Sequence, residues 1–328
     1  MRLSARSTTA PAPDVSVIIP TYNRIAMLKE ALASVLEQTF AGTVEIIVVD
    51  DNSQDGTPST IREQYPDIYL IACSKNGGPS AARNKGICAA QGRYIAFLDS
   101  DDLWEADYLK TQVDTLNRQV SPEPTHFSVS DVWLWETDRN VRLHRPQGMH
   151  PDYSSLLHHL LAAGSFIHTP SAVVVHRQAF DQVGLFNESL RFAEDTDLYI
   201  RLLMVGYQPV FTRKILTIRR KHSQGQAIEP KNIDLRIQSR IGTLKKYYPL
   251  IGTEEIEPSL KDISAQIYAQ FATQCYRSQH FLKWIALLIA SRQYTSWQAV
   301  MLRVHHDFGF TARKISGFLR KWRAPEIV

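Results

Sequence analysis

The sequence predicts an α/β fold built on a mostly parallel sheet covered on both faces, followed by a helical C-terminal extension. Four short apolar runs, residues 15–19, 44–49, 68–72 and 94–98, are of strand length and rich in β-branched or aromatic side chains. Helix-period segments lie between them: Ala26, Leu28, Ala31, Leu32, Val35 and Leu36, then Ala81, Ala82, Ile87 and Ala89. Strands alternating with helices give a parallel sheet, and ligands bind outside the carboxyl ends of its strands. Polar and acidic clusters follow these runs.

The first run ends in Pro20-Thr21-Tyr22-Asn23-Arg24. Pro20 lacks the N–H of a central ladder, so the chain is expected to leave the sheet there, with Thr21, Tyr22 and Arg24 on an exposed loop. Asn23 is expected to cap the first helix. The second run ends in Asp50-Asp51-Asn52-Ser53. A carboxylate there can accept from a base N–H or a ribose hydroxyl; the alternative is turn and capping chemistry, which Asn52, Asp55 and Gly56 already supply. Thr57-Pro58 opens the second helix. The third run leads to Asn76-Gly77-Gly78-Pro79-Ser80-Ala81-Ala82-Arg83. The glycines permit close backbone approach to a ligand, and Pro79 begins a helix whose N-terminus faces it. Arg83 is placed to reach a phosphate or to hold the carboxylates after the fourth run. A plain strand-to-helix turn is the alternative. The segment is neither GxGxxG nor GxxxxGK[ST], which argues against dinucleotide and ATPase sites.

The fourth run ends in Asp99-Ser100-Asp101-Asp102, three carboxylates in four residues. Such a cluster is costly unless a cation sits in it, and Mg²⁺ or Mn²⁺ is commonly held by one or two carboxylates while ligand phosphates complete its shell. A solvated turn capping the next helix is the alternative. Trp104 follows, either stacking on a ligand or packing in the core. Beyond residue 120 the pattern loosens. Residues 127–135, 141–143 and 170–175 read as strands, 195–205 as a helix, and the chain from 232 as helical, with one long helix through Ile263, Ile267, Phe271 and Tyr276. Glu194-Asp195-Thr196-Asp197 again sets three acids in four residues, more than helix capping requires.

The chain has 328 residues, 44% hydrophobic and 21% charged, and its three cysteines lack metal or disulfide spacing. This suits a reducing compartment. The first thirteen residues are expected to form a disordered tail, and no run is long enough to span a membrane. Residues 281–328 carry eight Lys/Arg against two acids, leaving the rest of the chain at −2. With Phe308, Phe310, Ile315, Phe318, Leu319 and Trp322 interleaved, this stretch is either a membrane-surface helix or a solvated helix packed on the body.

The motifs VSVIIPTYNR (15–24), EIIVVDDNSQDGT (45–57), NGGPSAARNKG (76–86) and FLDSDDLW (97–104) resemble the nucleotide-sugar-binding half of inverting family 2 glycosyltransferases, over roughly residues 14–225. The resemblance implies the Rossmann-like GT-A fold, with a nucleotide-sugar-binding half at 14–120, an acceptor-binding half at 121–228 and a helical region at 229–328. It implies an Mn²⁺ or Mg²⁺ cofactor and a nucleotide-sugar donor, UDP favoured. The implied acceptor is a saccharide or lipid-linked saccharide of bacterial cell-surface polysaccharide. No nucleic-acid partner is expected, and the implied location is cytoplasmic, with peripheral contact to the cytoplasmic membrane face through 281–328. Pro20, Thr21, Tyr22, Arg24, Asp50, Asp51, Asn76, Gly77, Gly78, Arg83, Asp99, Ser100 and Trp104 would surround the donor. Asp101 would be the principal metal ligand, with Asp99, Asp102 and His222 as further ligands. Asp195 matches the catalytic base, with Glu194 orienting a partner or the acceptor. His168-Thr169-Pro170-Ser171 resembles a loop near the acceptor, and Arg219, Arg220 and Lys221 are placed to neutralise diphosphate. A nucleotidyltransferase and a catalytically inactive nucleotide-sugar-binding module are the rival readings.

Overall fold

The computed structural model describes residues 1–3, 11–119, 125–151, 153–221, 232–251, 259–277 and 280–295. The first of its two units comprises residues 1–160 and 165–226. Its elements are β1 (Arg2–Leu3), β2 (Val15–Thr21), α1 (Ile25–Leu36), β3 (Thr43–Asp50), α2 (Thr57–Gln64), β4 (Tyr69–Ala72), α3 (Gly78–Ala89), β5 (Tyr94–Phe97) and β6 (Asp102–Trp104). There follow α4 (Tyr108–Asn117), β7 (His126–Glu136), β8 (Val141–Arg145), α5 (Leu156–Ala162), β9 (Val173–His176), α6 (Ala179–Val183), α7 (Glu194–Met204) and β10 (Gln208–Lys221).

One sheet runs β1-β3-β2-β5-β9-β7-β10-β6, with β4 also on β3 and β8 also on β7. The pairings among β1 to β5 are parallel, and the mostly apolar β2, β3 and β5 are buried along nearly their whole length, as strands covered on both faces are. The later region is mixed: β9 is antiparallel to both β5 and β7, and β6 antiparallel to β10. Val15, Val17 and Ile19 of β2 share one core with Leu28, Leu32 and Val35 of α1 and with Tyr108 and Leu109 of α4. Ile18 points to the other face, against α3. A Cβ on Gly86 of α3 would lie 2.4 Å from the Ile18 side chain, so this approach requires glycine.

Several expectations are corrected. Pro20 stays in the sheet, paired in register with Val49 of β3. Ile18 accepts from Leu98 on the β5 side, so alternation turns Pro20 to that side as well, where pairing has already stopped and no N–H is missed. Thr21 is consequently buried rather than exposed. Asn23 does not cap α1: its side chain accepts from the Gln54 amide, and Asp55 takes the Ile25 amide instead. Residues 170–172 form a 3-10 turn, and the strand begins at Val173. Arg2 and Leu3 pair with Thr43 and Val44, because main-chain pairing does not depend on composition; residues 4–10 lie outside the described part. Strands β6 and β10 have no counterpart among the apolar runs of the sequence.

The second unit comprises residues 161–164 and 227–328. Its described helices are α8 (Ile233–Tyr247), α9 (Leu260–Arg277) and α10 (Phe281–Ser291). Ile237, Ile241, Leu244, Ile263, Ile267, Phe271 and Leu287 are buried. No described helix is long and apolar enough to cross a membrane. Most of the basic stretch at 281–328 lies outside the described residues.

Candidate active site

The acid turn between β5 and β6 is a short reversal in which the Asp102 amide donates to the Asp99 carbonyl at 2.9 Å. Its carboxylates have unlike surroundings. Asp102 is buried and accepts from the Thr169 and Ser171 hydroxyls at 2.9 and 2.7 Å and from the Arg220 amide at 3.2 Å. Burial, then the neighbouring charges of Asp101 and Asp99, push its carboxyl up to about 7. The Ser171 hydroxyl also accepts from the Asp99 amide. Asp102 thus ties the turn to the 3-10 segment and to β10. This corrects its expected role as a metal ligand, because its oxygens are already engaged by the framework.

Trp104 is buried, stacked on Tyr108 at 4.0 Å, with its indole N–H on the Ser171 carbonyl at 2.7 Å. That makes it a core residue and not a donor-stacking one. Ser100 is buried too.

Three arginines meet the turn. Arg24 pairs with Asp101 at 2.6 Å. Arg83 pairs with Asp99 at 2.7 Å and with Glu194 at 3.0 Å. Its buried guanidinium therefore links the acid turn to the start of α7, and of the two roles open to it in the sequence the structure has the carboxylate-holding one. Arg220 donates to the Asp101 carbonyl and the Met27 carbonyl and pairs with Glu30 of α1. It is a buried clamp on the turn rather than an open diphosphate contact. Lys221 pairs with Glu136, and Arg219 donates to the His168 carbonyl.

At the β3 edge, Asp51 accepts from the Gly77 amide at 2.9 Å and the Gly78 amide at 2.7 Å, and Asn76 donates to the Asp51 carbonyl. Gly78 has φ +83, a left-handed conformation that glycine adopts freely. Asp50 accepts from the Ser53 amide, while its Oδ1 and the Oγ1 of its register partner Thr21 are buried with no partner among the described residues. Tyr22 is exposed.

Ala193, in left-handed geometry with φ 61, precedes α7. Such a residue costs of the order of 1–2 kcal/mol, and strain of this kind clusters at functional sites. Asp195 is half-buried and accepts from the amide and hydroxyl of Thr196. Burial, then the Glu194 charge, push its carboxyl up to about 6. Asp197 is buried and paired with Arg201 at 2.9 Å.

Among the described residues no group of three or more His, Cys, Asp or Glu could hold a metal ion. His222 lies outside them. Asp101 with Asp99 remains a hard-oxygen set of the size Mg²⁺ takes when phosphates complete its shell, and the Arg24 guanidinium on Asp101 marks where a cation is already accepted. The residues fit such an ion in that limited sense.

The family model for glycosyl transferase family 2 matches residues 16–184. The chain belongs to this family. The putative teichuronic acid biosynthesis glycosyltransferase TuaG of Bacillus subtilis is 44% identical over 60% of this chain and 74% of its own length. An uncharacterized glycosyltransferase of Rickettsia conorii is 32% identical over 64% of this chain and 34% of its own. Across four rickettsial glycosyltransferases, this chain spans 34% to 65% of the relative's length. The mannosyltransferase PcManGT of Pyrobaculum calidifontis, solved with GDP-Man and Mn²⁺, has a TM-score of 0.55 at 20% identity, covering 95% of this chain and 85% of that one. TarS 1-349 of S. aureus, solved with UDP-GlcNAc, has a TM-score of 0.54 at 20% identity, covering 86% and 81%. This family 2 member therefore has the GT-A fold. The Asp102 cage and the Arg220 clamp escaped sequence reasoning: Thr169, Ser171 and Arg220 lie 67, 69 and 118 residues from Asp102, and no local pattern signals such partners.

Proposed function

We propose that the protein is an inverting, divalent-metal-dependent glycosyltransferase that moves a sugar from a nucleoside-diphosphate donor to an acceptor hydroxyl. The carrying observation is Arg83, which joins Asp99 of the acid turn to Glu194 beside Asp195. This sets a candidate donor edge and a candidate base on two sides of one buried cation. Donor binding falls to 14–120, acceptor binding to 121–228.

In this reading Tyr22, Arg24 and Asp51 lie around base and ribose, with Asp51 braced by the Gly77 and Gly78 amides. Asp101, with Asp99 beside it, would hold Mn²⁺ or Mg²⁺, which stabilises charge developing on the leaving diphosphate as a Lewis acid. Asp195 takes the acceptor proton during attack. A carboxyl raised to about 6 is a stronger base than an ordinary aspartate yet still ionised at neutral pH. Attack from the side opposite the departing diphosphate inverts the anomeric centre. The solved neighbours hold UDP-GlcNAc or GDP-Man, which supports a nucleoside-diphosphate sugar, and we favour UDP. TuaG and the succinoglycan biosynthesis protein ExoO of Rhizobium meliloti support an acceptor in surface-polysaccharide assembly. In this reading the reaction is cytoplasmic, with 281–328 touching the membrane face.

The test is a panel of UDP-, GDP- and dTDP-sugars with Mn²⁺ or Mg²⁺, scored for released nucleoside diphosphate and for anomeric configuration by NMR. Transfer with inversion, abolished by EDTA, is expected. No release from any donor would overturn the activity, and retention would overturn the mechanism. Flotation with anionic liposomes, with and without 281–328, tests the membrane contact; equal flotation removes it.

A further inference from the structure

The three arginines around the acid turn differ in how firmly they are held. The side chains of Arg83 and Arg220 are each 5% exposed. Arg83 is fixed between two carboxylates, and Arg220 between Glu30 and the carbonyls of Met27 and Asp101. Arg24 stands at the entry to α1 with its side chain 30% exposed, and among the described residues its guanidinium pairs with Asp101, whose side chain is 18% exposed. It has solvent to swing into, and the other two do not.

We propose that Arg24 is a built-in counter-ion that occupies Asp101 while the protein is free of metal and gives that carboxylate up when a divalent ion arrives. The inference rests on the metal assignment under Proposed function. At 2.6 Å from Oδ2, the guanidinium neutralises an acid that Asp99 and Asp102 would otherwise repel. A divalent ion on the same carboxylate would face a full positive charge within a few ångströms, so the two cations exclude one another. Once displaced, Arg24 turns its planar fork of donors to the bound nucleotide, whose base and ribose it flanks in the proposed reading. The free protein thus binds metal more weakly than its carboxylates alone would, and a nucleotide that draws Arg24 away strengthens metal binding. Linkage makes that effect reciprocal.

Mn²⁺ affinity, read by electron paramagnetic resonance without nucleotide, tests this in the full chain. Arg24→Met should bind Mn²⁺ about fivefold more tightly than the parent, the upper weight of a partly exposed ion pair. Arg24→Lys, which keeps the charge, should stay near the parent, and Asp101→Asn added to Arg24→Met should remove the gain. UDP should raise Mn²⁺ affinity more in the parent than in Arg24→Met. With an unchanged melting temperature, equal or weaker Mn²⁺ binding by Arg24→Met overturns the counter-ion role alone. Failure of every variant to bind Mn²⁺, with or without UDP, overturns the metal assignment and this inference with it.

Discussion

The acid turn and the start of α7 have the same composition, three acids in four residues, and resolve it differently. At the turn, Arg24 and Arg83 pair with two acids and the third is caged by two hydroxyls and an amide. At the helix, Arg83 and Arg201 serve Glu194 and Asp197, while Asp195 has only its neighbour Thr196 as hydrogen-bond partner among the described residues. Each cluster leaves one carboxyl with a raised proton affinity, but Asp102 is enclosed by three donors while Asp195 is half-buried beside a single neighbour. Equal acid counts therefore carry different chemistry, decided by the partners the fold delivers.

The largest expected break in this contrast is Asp195→Asn. It should lower turnover by about 10²–10⁴-fold, the weight of a positioned general base, and leave donor affinity in calorimetric titration unchanged. Next comes the pair within the turn. Asp101→Asn should abolish metal-dependent transfer and spare the melting temperature. Asp102→Ala leaves the Thr169 and Ser171 hydroxyls and the Arg220 amide without their buried acceptor and should cost about 1–3 kcal/mol of stability by denaturant titration. If both behave alike, the division of the turn into ligand and frame is wrong.

The pH profile sharpens the comparison further. Because Asp195 must be ionised to accept a proton, kcat/KM should rise about tenfold per pH unit below about 6 and level off above it. The stability sign is opposite. The folded carboxyl sits above the ordinary value, so its protonated form favours the fold, and that contribution is lost as pH rises through about 6. Asp195→Asn should therefore melt a few degrees higher than the parent at pH 8 and at nearly the same temperature at pH 3. The smallest effect is expected outside both clusters. Lys221 already pairs with Glu136 on the surface, so Lys221→Ala should change turnover less than about twofold; a large loss would return Lys221 to the diphosphate.

The parallel half of the sheet was legible because runs such as 44–49 are β-branched and apolar at every position but Glu45, the pattern of strands buried on both faces. Strand β10 was hidden because Arg213, Lys214, Arg219, Arg220 and Lys221 break any apolar run within it, and β6 because it is three residues long. The acids of the site were visible as types and spacing. Their partners were not, since Asp101 and Asp102 read identically until a hydroxyl 69 residues on closes over one of them. Arg83 was half-legible: its position one turn into α3 allowed two targets, and only the tertiary placement of Glu194 chooses.

Strand β10 has a consequence for the order in which the protein is made. The acid turn leaves the ribosome by residue 102, yet the guanidinium that clamps the Asp101 carbonyl is 119 residues beyond that aspartate. A nascent chain that has completed β1 to β5 has Arg24 and Arg83 for two of these acids but lacks the clamp from β10, and contacts this distant in sequence form slowly. A product cut short before Arg220 would keep the apolar half of its sheet while losing that clamp on its acid turn, and a chaperone would meet it as a body folded at one end and open at the other.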